Sequence, residues 1–145
     1  MRMNPYLSFK GDCEEAFAFY QQHLGARAGS LFRYGGSPMS GDVPADWSEK
    51  VMHATITVGG QELMGGDVAP ERYEAPKGFS LSLQIGDVID AERVFDALAE
   101  GGTVVMPLQQ TFWAARFGMA IDRFGIPWLV NCESSSAADS DHPPD

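Results

Sequence analysis

The chain has 145 residues, of which 44% are hydrophobic and 11% aromatic, enough for one packed domain or two small half-units sharing a core. A formal net charge of −10 argues against nucleic acid or an anionic membrane as the main partner. No apolar run approaches the length of a membrane span, and Cys13 and Cys132 match no metal or redox spacing. We therefore expect a cytoplasmic protein with reduced thiols.

The first half of the chain predicts a strand, a helix and three further strands, at about 4–9, 12–25, 28–34, 51–58 and 61–66. Asp12 and Glu15 have the spacing of a capping box at the start of the helix, and Gly25 is the expected stop. The loop between the second and third strands is rich in Gly, Pro and Ser and carries Trp47, so it is either a lid or plain surface.

The second half predicts a strand, a helix, a strand and a hairpin, at about 79–85, 87–100, 103–106, 116–122 and 126–132. On the first hairpin strand the larger apolar residues are expected to face the helix, with Arg116 on the opposite face. On the second strand Trp128 and its alternate neighbours are expected to face the helix. The polar stretch 134–145 is predicted to be a disordered tail.

The predicted order is βαβββ, repeated once. An offset of about 75 residues pairs the two helix starts, and an offset of about 65 superposes the two hairpins, pairing Gly60 with Gly125. We therefore predict an α+β fold in a single domain, 1–133, with module one at about 1–67 and module two at about 78–133. Two four-stranded mixed sheets with their helices outside are expected to enclose a shared cleft.

Three stretches resemble the vicinal oxygen chelate superfamily, which includes glyoxalase, bleomycin-resistance and extradiol dioxygenase proteins, and in particular its PhnB-like branch. They are NPYLSFKGDCEEAFAFY at 4–20, VMHATITVGGQELMGGD at 51–67 and FWAARFGMAIDRFGIPW at 112–128. The resemblance implies the glyoxalase/bleomycin-resistance fold and a homodimer. Some members of this branch carry a methyltransferase label, but the chain has no Gly-rich nucleotide-binding turn that opens a helix.

Metal-using members of the superfamily place one ligand on the first and last strand of each module. The resemblance carries these positions to Pro5, Met64, Ser80 and Leu129, which offer at best a hydroxyl and a thioether. We therefore expect no metal and no cofactor. A register shift of one or two residues would bring Glu62 or Asn131 into such a site.

Polar side chains on the strand faces opposite the helices are candidates for ligand binding: His53, Thr55, Thr57, Glu62, Ser80, Ser82, Gln84, Arg116 and Asn131. Phe112, Trp113 and Trp47 are expected at the rim of the cleft. His53 is either a proton shuttle or a histidine bonded to a neighbouring threonine. Arg116 either clamps an anion or pairs with Glu62 or Asp122 in a structural bridge. Phe112 and Trp113 either stack on a planar ligand or close a core or a dimer.

No catalytic triad, paired-carboxylate arrangement or phosphate-binding loop is present in the sequence, so the residues do not decide whether the protein is an enzyme. The leading hypothesis is a metal-free, homodimeric protein that binds a small organic molecule. The alternatives are a metal-assisted lyase, isomerase or dioxygenase and a drug-sequestering resistance protein.

Overall fold

A computed structural model describes residues 1–133, and the predicted tail at 134–145 lies outside the described residues. The chain divides into two compact units, one of residues 1–74 and one that begins at Ala75. Each unit contains one four-stranded mixed sheet with one long helix, in the order βαβββ. The predicted α+β fold of two βαβββ modules is confirmed.

Unit 1 contains four strands and one long helix: β1 (Tyr6–Phe9), α1 (Cys13–Leu24), β2 (Arg27–Arg33), β3 (Val51–Val58) and β4 (Gln61–Asp67). The sheet order is β1-β4-β3-β2, with β1 parallel to β4 and the other pairs antiparallel. Helix α1 packs against one face of this sheet and buries Phe17 and Tyr20 there. The long loop before β3 contains two short 3-10 helices.

Unit 2 repeats the arrangement with β5 (Leu81–Gln84), α2 (Val88–Ala99), β6 (Thr103–Gln109), β7 (Arg116–Ile121) and β8 (Pro127–Cys132). The sheet order is β5-β8-β7-β6, again with one parallel pair. Helix α2 lies against β6, β7 and β8 and buries Val94, Phe95 and Leu98. We call the face of each sheet that packs on its own helix the helix face, and the opposite face the open face.

A buried carboxylate organises each unit through backbone donors. In unit 1, Asp67 Oδ1 accepts from the N–H groups of Gly11 (3.1 Å) and Cys13 (2.9 Å), and Oδ2 accepts from that of Val51 (2.9 Å). Asp67 therefore joins β4 to the start of α1 and the start of β3, where unpaired N–H groups would be costly to bury. The predicted capping box does not form, because the Asp12 side chain makes no capping hydrogen bond.

In unit 2 the buried carboxylate is Asp122, at the start of the β7–β8 turn. Its Oδ1 accepts from the N–H groups of Phe124 (2.9 Å) and Ile126 (3.0 Å), and its Oδ2 accepts from the Trp128 indole N–H (2.8 Å). Asp122 thus fixes both the turn and the indole beneath α2.

The prediction for β7 is wrong, because the two faces of this strand are exchanged in the structure. Gly118 and Ala120 are buried on the helix face, whereas Phe117, Met119 and Ile121 lie on the open face. The residues paired with Gly118 and Ala120 are Val130 and Trp128, which are buried under α2 as predicted for β8. Helix α2 approaches β7 closely: a Cβ at Gly118 would lie 2.8 Å from Phe95 Cε1. Only small side chains fit on the helix face there.

Candidate functional site

On the open face of sheet 1 the rings of Tyr6 and His53 lie together, with 5.8 Å between their centroids. The strand between them supplies Gly66, where a Cβ would lie 2.9 Å from the Tyr6 hydroxyl oxygen. The Tyr6 hydroxyl donates to the Met52 carbonyl at 3.5 Å, and burial raises the pKa of this phenol. Tyr6 is not among the residues predicted from the sequence, although the neighbouring Gly66, a residue type that allows close approach, is a signal for it.

The remaining candidates in unit 1 are Thr55, Thr57, Glu62 and Trp47. Thr55 Oγ1 accepts from the N–H of Ser30 (3.0 Å) at an irregularity in the β2–β3 pairing, where its role is structural. Thr57 and Glu62 are register partners of β3 and β4 and lie on the open face. Trp47 is buried in unit 1, with its ring 3.5 Å from the position that a Gly11 Cβ would take.

On the open face of sheet 2 three polar side chains form a continuous hydrogen-bonded ladder. Asn131 Nδ2 donates to Gln84 Oε1 at 2.8 Å, and Gln84 Nε2 donates to Ser82 Oγ at 2.8 Å. The register places Ser82 beside Leu129 and Gln84 beside Asn131. Of the predicted residues in unit 2, these three are brought together. Ser80 lies just before β5, outside the paired strand residues.

An aromatic cluster borders this ladder. Phe117 is the β7 partner of Asn131, and the Trp113 ring lies edge-on to Phe117 with 5.5 Å between centroids. Phe112 in turn lies edge-on to Trp113 at 4.7 Å. Phe112 is 91% exposed and Trp113 51% exposed, so this pair does not form a core within the chain. Phe117 was predicted to face the helix, but it lies on the open face beside Asn131 and so adds to this site.

Arg116 is placed on the helix face, contrary to prediction. It pairs with Cys132 in the sheet register, its Nη1 donates to the Ala115 carbonyl at 2.6 Å, and its Nη2 lies 3.8 Å from Glu92 Oε1 on α2. Arg116 therefore has a carboxylate partner, as one of the two alternatives predicted, but this partner is Glu92 and not Glu62. Arg116 therefore cannot face a ligand from the open side together with Asn131.

The two thiols are buried and unpaired. Burial raises the pKa of Cys13, and the nearby Asp67 carboxylate raises it further. Burial also raises the pKa of Cys132. Because the thiolate is the reactive form, neither thiol has the character of a nucleophile.

The sequence profile of the Glyoxalase/Bleomycin resistance protein/Dioxygenase superfamily matches residues 2–130. The chain belongs to this superfamily. It is 37% identical to the protein YjdN of Escherichia coli K12 over 139 residues, which are 90% of this chain and 95% of YjdN.

Two solved structures resemble this chain over most of its length. Protein PA1353 from Pseudomonas aeruginosa is 51% identical, with a TM-score of 0.82 over 92% of this chain and 98% of that one. The PhnB protein from Bacillus cereus is 27% identical, with a TM-score of 0.78 over 91% and 99% of the two chains. The expected resemblance to the PhnB-like branch is confirmed.

The positions to which the resemblance carries the superfamily's metal ligands, Pro5, Met64, Ser80 and Leu129, hold no imidazole or carboxylate. Met64 lies beside Tyr6 in the register, and its N–H donates to the Pro5 carbonyl at 3.0 Å. In sheet 2 the β5 residue beside Leu129 is Ser82. Within residues 1–133 no group of three or more His, Cys, Asp or Glu residues is arranged to hold a metal ion. A thioether, an aliphatic chain and neutral hydroxyls do not fit a hard divalent ion.

Within the same residues, the helices are too short or too polar to cross a membrane.

Proposed function

We propose that the protein is a metal-free, homodimeric member of this superfamily that binds a small organic molecule on the open face of sheet 2. The observation that carries the proposal is the ladder of Ser82, Gln84 and Asn131 beside the exposed rings of Phe112 and Trp113. Small-molecule sites combine apolar and aromatic surface with a few placed polar groups, and this face offers both. We place this function in the cytoplasm, in keeping with two unpaired thiols.

The donor set argues against the metal-assisted alternatives, because no imidazole or carboxylate stands at the four ligand positions. A drug-sequestering role remains one form of small-molecule binding. The acidic net charge attracts any cationic compound at long range, but it specifies no site.

The experiment is a small-fragment screen by amide NMR on the intact protein. We expect the fragments that bind to shift the amide signals of Gln84, Phe117 and Asn131. Replacing Phe117 with alanine should weaken those fragments by roughly 3-fold to 30-fold, because a stacking surface is lost. Arg116→Ala, on the helix face of the same strand, serves as the matched control and should leave their affinity unchanged.

The proposal fails if no fragment shifts these signals at millimolar concentration. It also fails if the bound fragments map to the helix faces, or if Arg116→Ala weakens them as strongly as Phe117→Ala does.

A further inference from the structure

The paired strand residues on the open face of sheet 2 carry no ionisable side chain. This set consists of Ser82, Gln84, Thr103, Met106, Gln109, Phe117, Met119, Ile121, Pro127, Leu129 and Asn131. On sheet 1, by contrast, the open face includes His53, Glu62 and Tyr6. We call the face of sheet 2 the neutral face.

The ladder on the neutral face has a direction. Asn131 donates to Gln84, and Gln84 donates to Ser82. This leaves the Asn131 Oδ1 as an acceptor at one end and the Ser82 hydroxyl proton as a donor at the other. The ladder therefore presents an acceptor at its Asn131 end and a donor at its Ser82 end.

Apolar surface lies next to that edge. Leu129 stands between Asn131 and Pro127 on the same face of β8, and Phe117 lies beside Asn131 on β7. Trp113 continues this surface beyond Phe117. A flat ligand could lie on this surface with its polar edge against the ladder.

We propose that the neutral face selects an uncharged, planar ligand whose polar edge group, such as the primary amide of an aromatic amide, hydrogen-bonds at one end of the ladder. The proposal rests on the proposed function and names the class of its ligand. A carboxylate or an amidinium would lose hydration here without meeting an opposite charge. The nearest strand cation, Arg116, lies on the helix face and is held by Ala115 and Glu92.

Three probes of nearly the same size and shape test the charge preference: benzamide, benzoate and benzamidine. Binding is measured by tryptophan fluorescence, which reports mainly on Trp113 because Trp47 and Trp128 are buried. We expect benzamide to bind about 10-fold more tightly than either charged probe, since a charge costs more to desolvate than an amide. Equal or tighter binding of benzoate or benzamidine overturns the proposal, and so does the absence of benzamide binding.

A charge placed on the ladder should reverse the preference. Asn131→Asp puts a carboxylate at the acceptor end, and Gln84 can turn its amide to donate to it, so the fold is expected to persist. We expect benzamidine to gain about 10-fold and benzamide to lose affinity. Gln22→Glu, an exposed amide on α1, is the matched control and should change neither.

The two proposals fail in different ways. If fragments map to the neutral face but the probes show no preference for benzamide, the ligand class is wrong and the binding function stands. If nothing maps to that face, both are wrong.

Discussion

At the scale of single residues, Trp128 shows how one side chain serves both packing and hydrogen bonding. It is 2% exposed, lies under α2 and donates its indole N–H to the buried Asp122. Its carboxylate partner also accepts two backbone N–H groups of the turn, so the indole is tied to the hairpin as well as to the core. Buried polar groups of this kind are stabilising only while their partners remain.

We predict that Trp128→Ala lowers the free energy of unfolding by roughly 3–5 kcal/mol, because a large buried ring leaves a cavity. Urea unfolding followed by circular dichroism measures the loss. The matched control is Trp113→Ala, an exposed tryptophan in the same unit, which should cost under about 1 kcal/mol. A loss below about 1 kcal/mol at Trp128 would contradict the placement of this ring under α2.

At the scale of elements, small residues on one face of β7 allow helix α2 to pack closely against this strand. Gly118 and Ala120 face the helix, and a Cβ at Gly118 would lie 2.8 Å from Phe95 and 2.9 Å from the backbone of Leu108. Side chains larger than these would push the helix from the sheet, while the larger Phe117 and Met119 are accommodated on the open face. The close approach of α2 therefore decides which residues of β7 are available to a ligand.

We predict that Gly118→Ala destabilises the protein by roughly 1–3 kcal/mol through overpacking against α2. Gly86→Ala is the control in the same unit, since a Cβ there meets nothing within 4 Å. Thermal and urea unfolding of the two variants should differ clearly. If both variants unfold alike, the close contact between β7 and Phe95 is not as described.

At the scale of the whole molecule, each unit presents large exposed apolar side chains on strands at the sheet edges or in connecting segments. Phe32 on β2 and Val105 on β6 are examples, and both strands lie at the end of their sheets. Exposed edges and apolar patches of this kind are commonly covered by association. Metal content is also a property of the whole molecule, because metal-using members of the superfamily take ligands from both modules.

We predict that the protein is a homodimer, as the resemblance to its superfamily implies. Light scattering at micromolar concentration should give twice the mass of one chain. Phe32→Ser and Val105→Ser, tested separately, identify the strand that takes part, because a charged or polar group disfavours a buried interface. A monomer mass for the parent protein would rule the prediction out.

We also predict that the purified protein carries no stoichiometric zinc, nickel, iron or manganese. The reason is the donor set at Pro5, Met64, Ser80 and Leu129, and burial disfavours the phenolate form of the neighbouring Tyr6. Elemental analysis before and after chelation measures this. About one tightly held ion per chain, whose removal lowers the melting temperature, would refute it.

The sequence by itself determined the order of the elements, the internal repeat and the superfamily, because these depend on local periodicity, turn residues and matching stretches. It also placed Ser82, Gln84 and Asn131 on the open face, since Ser82 and Gln84 alternate with Leu81 and Leu83 in β5, and Asn131 alternates with the large apolar Trp128 and Val130 in β8. It misplaced Arg116 and Phe117, because both faces of β7 carry apolar residues and size alone favoured the wrong one.

Tertiary structure decided the face of β7 through two physical constraints. The turn held by Asp122 sets Ile121 opposite Pro127, so the odd-numbered residues of both hairpin strands share the open face. The close packing of α2 then leaves room only for small residues at positions 118 and 120 on the other side. A strand's alternation specifies two faces, but only its register with a neighbour and the space beneath the helix determine which face is buried.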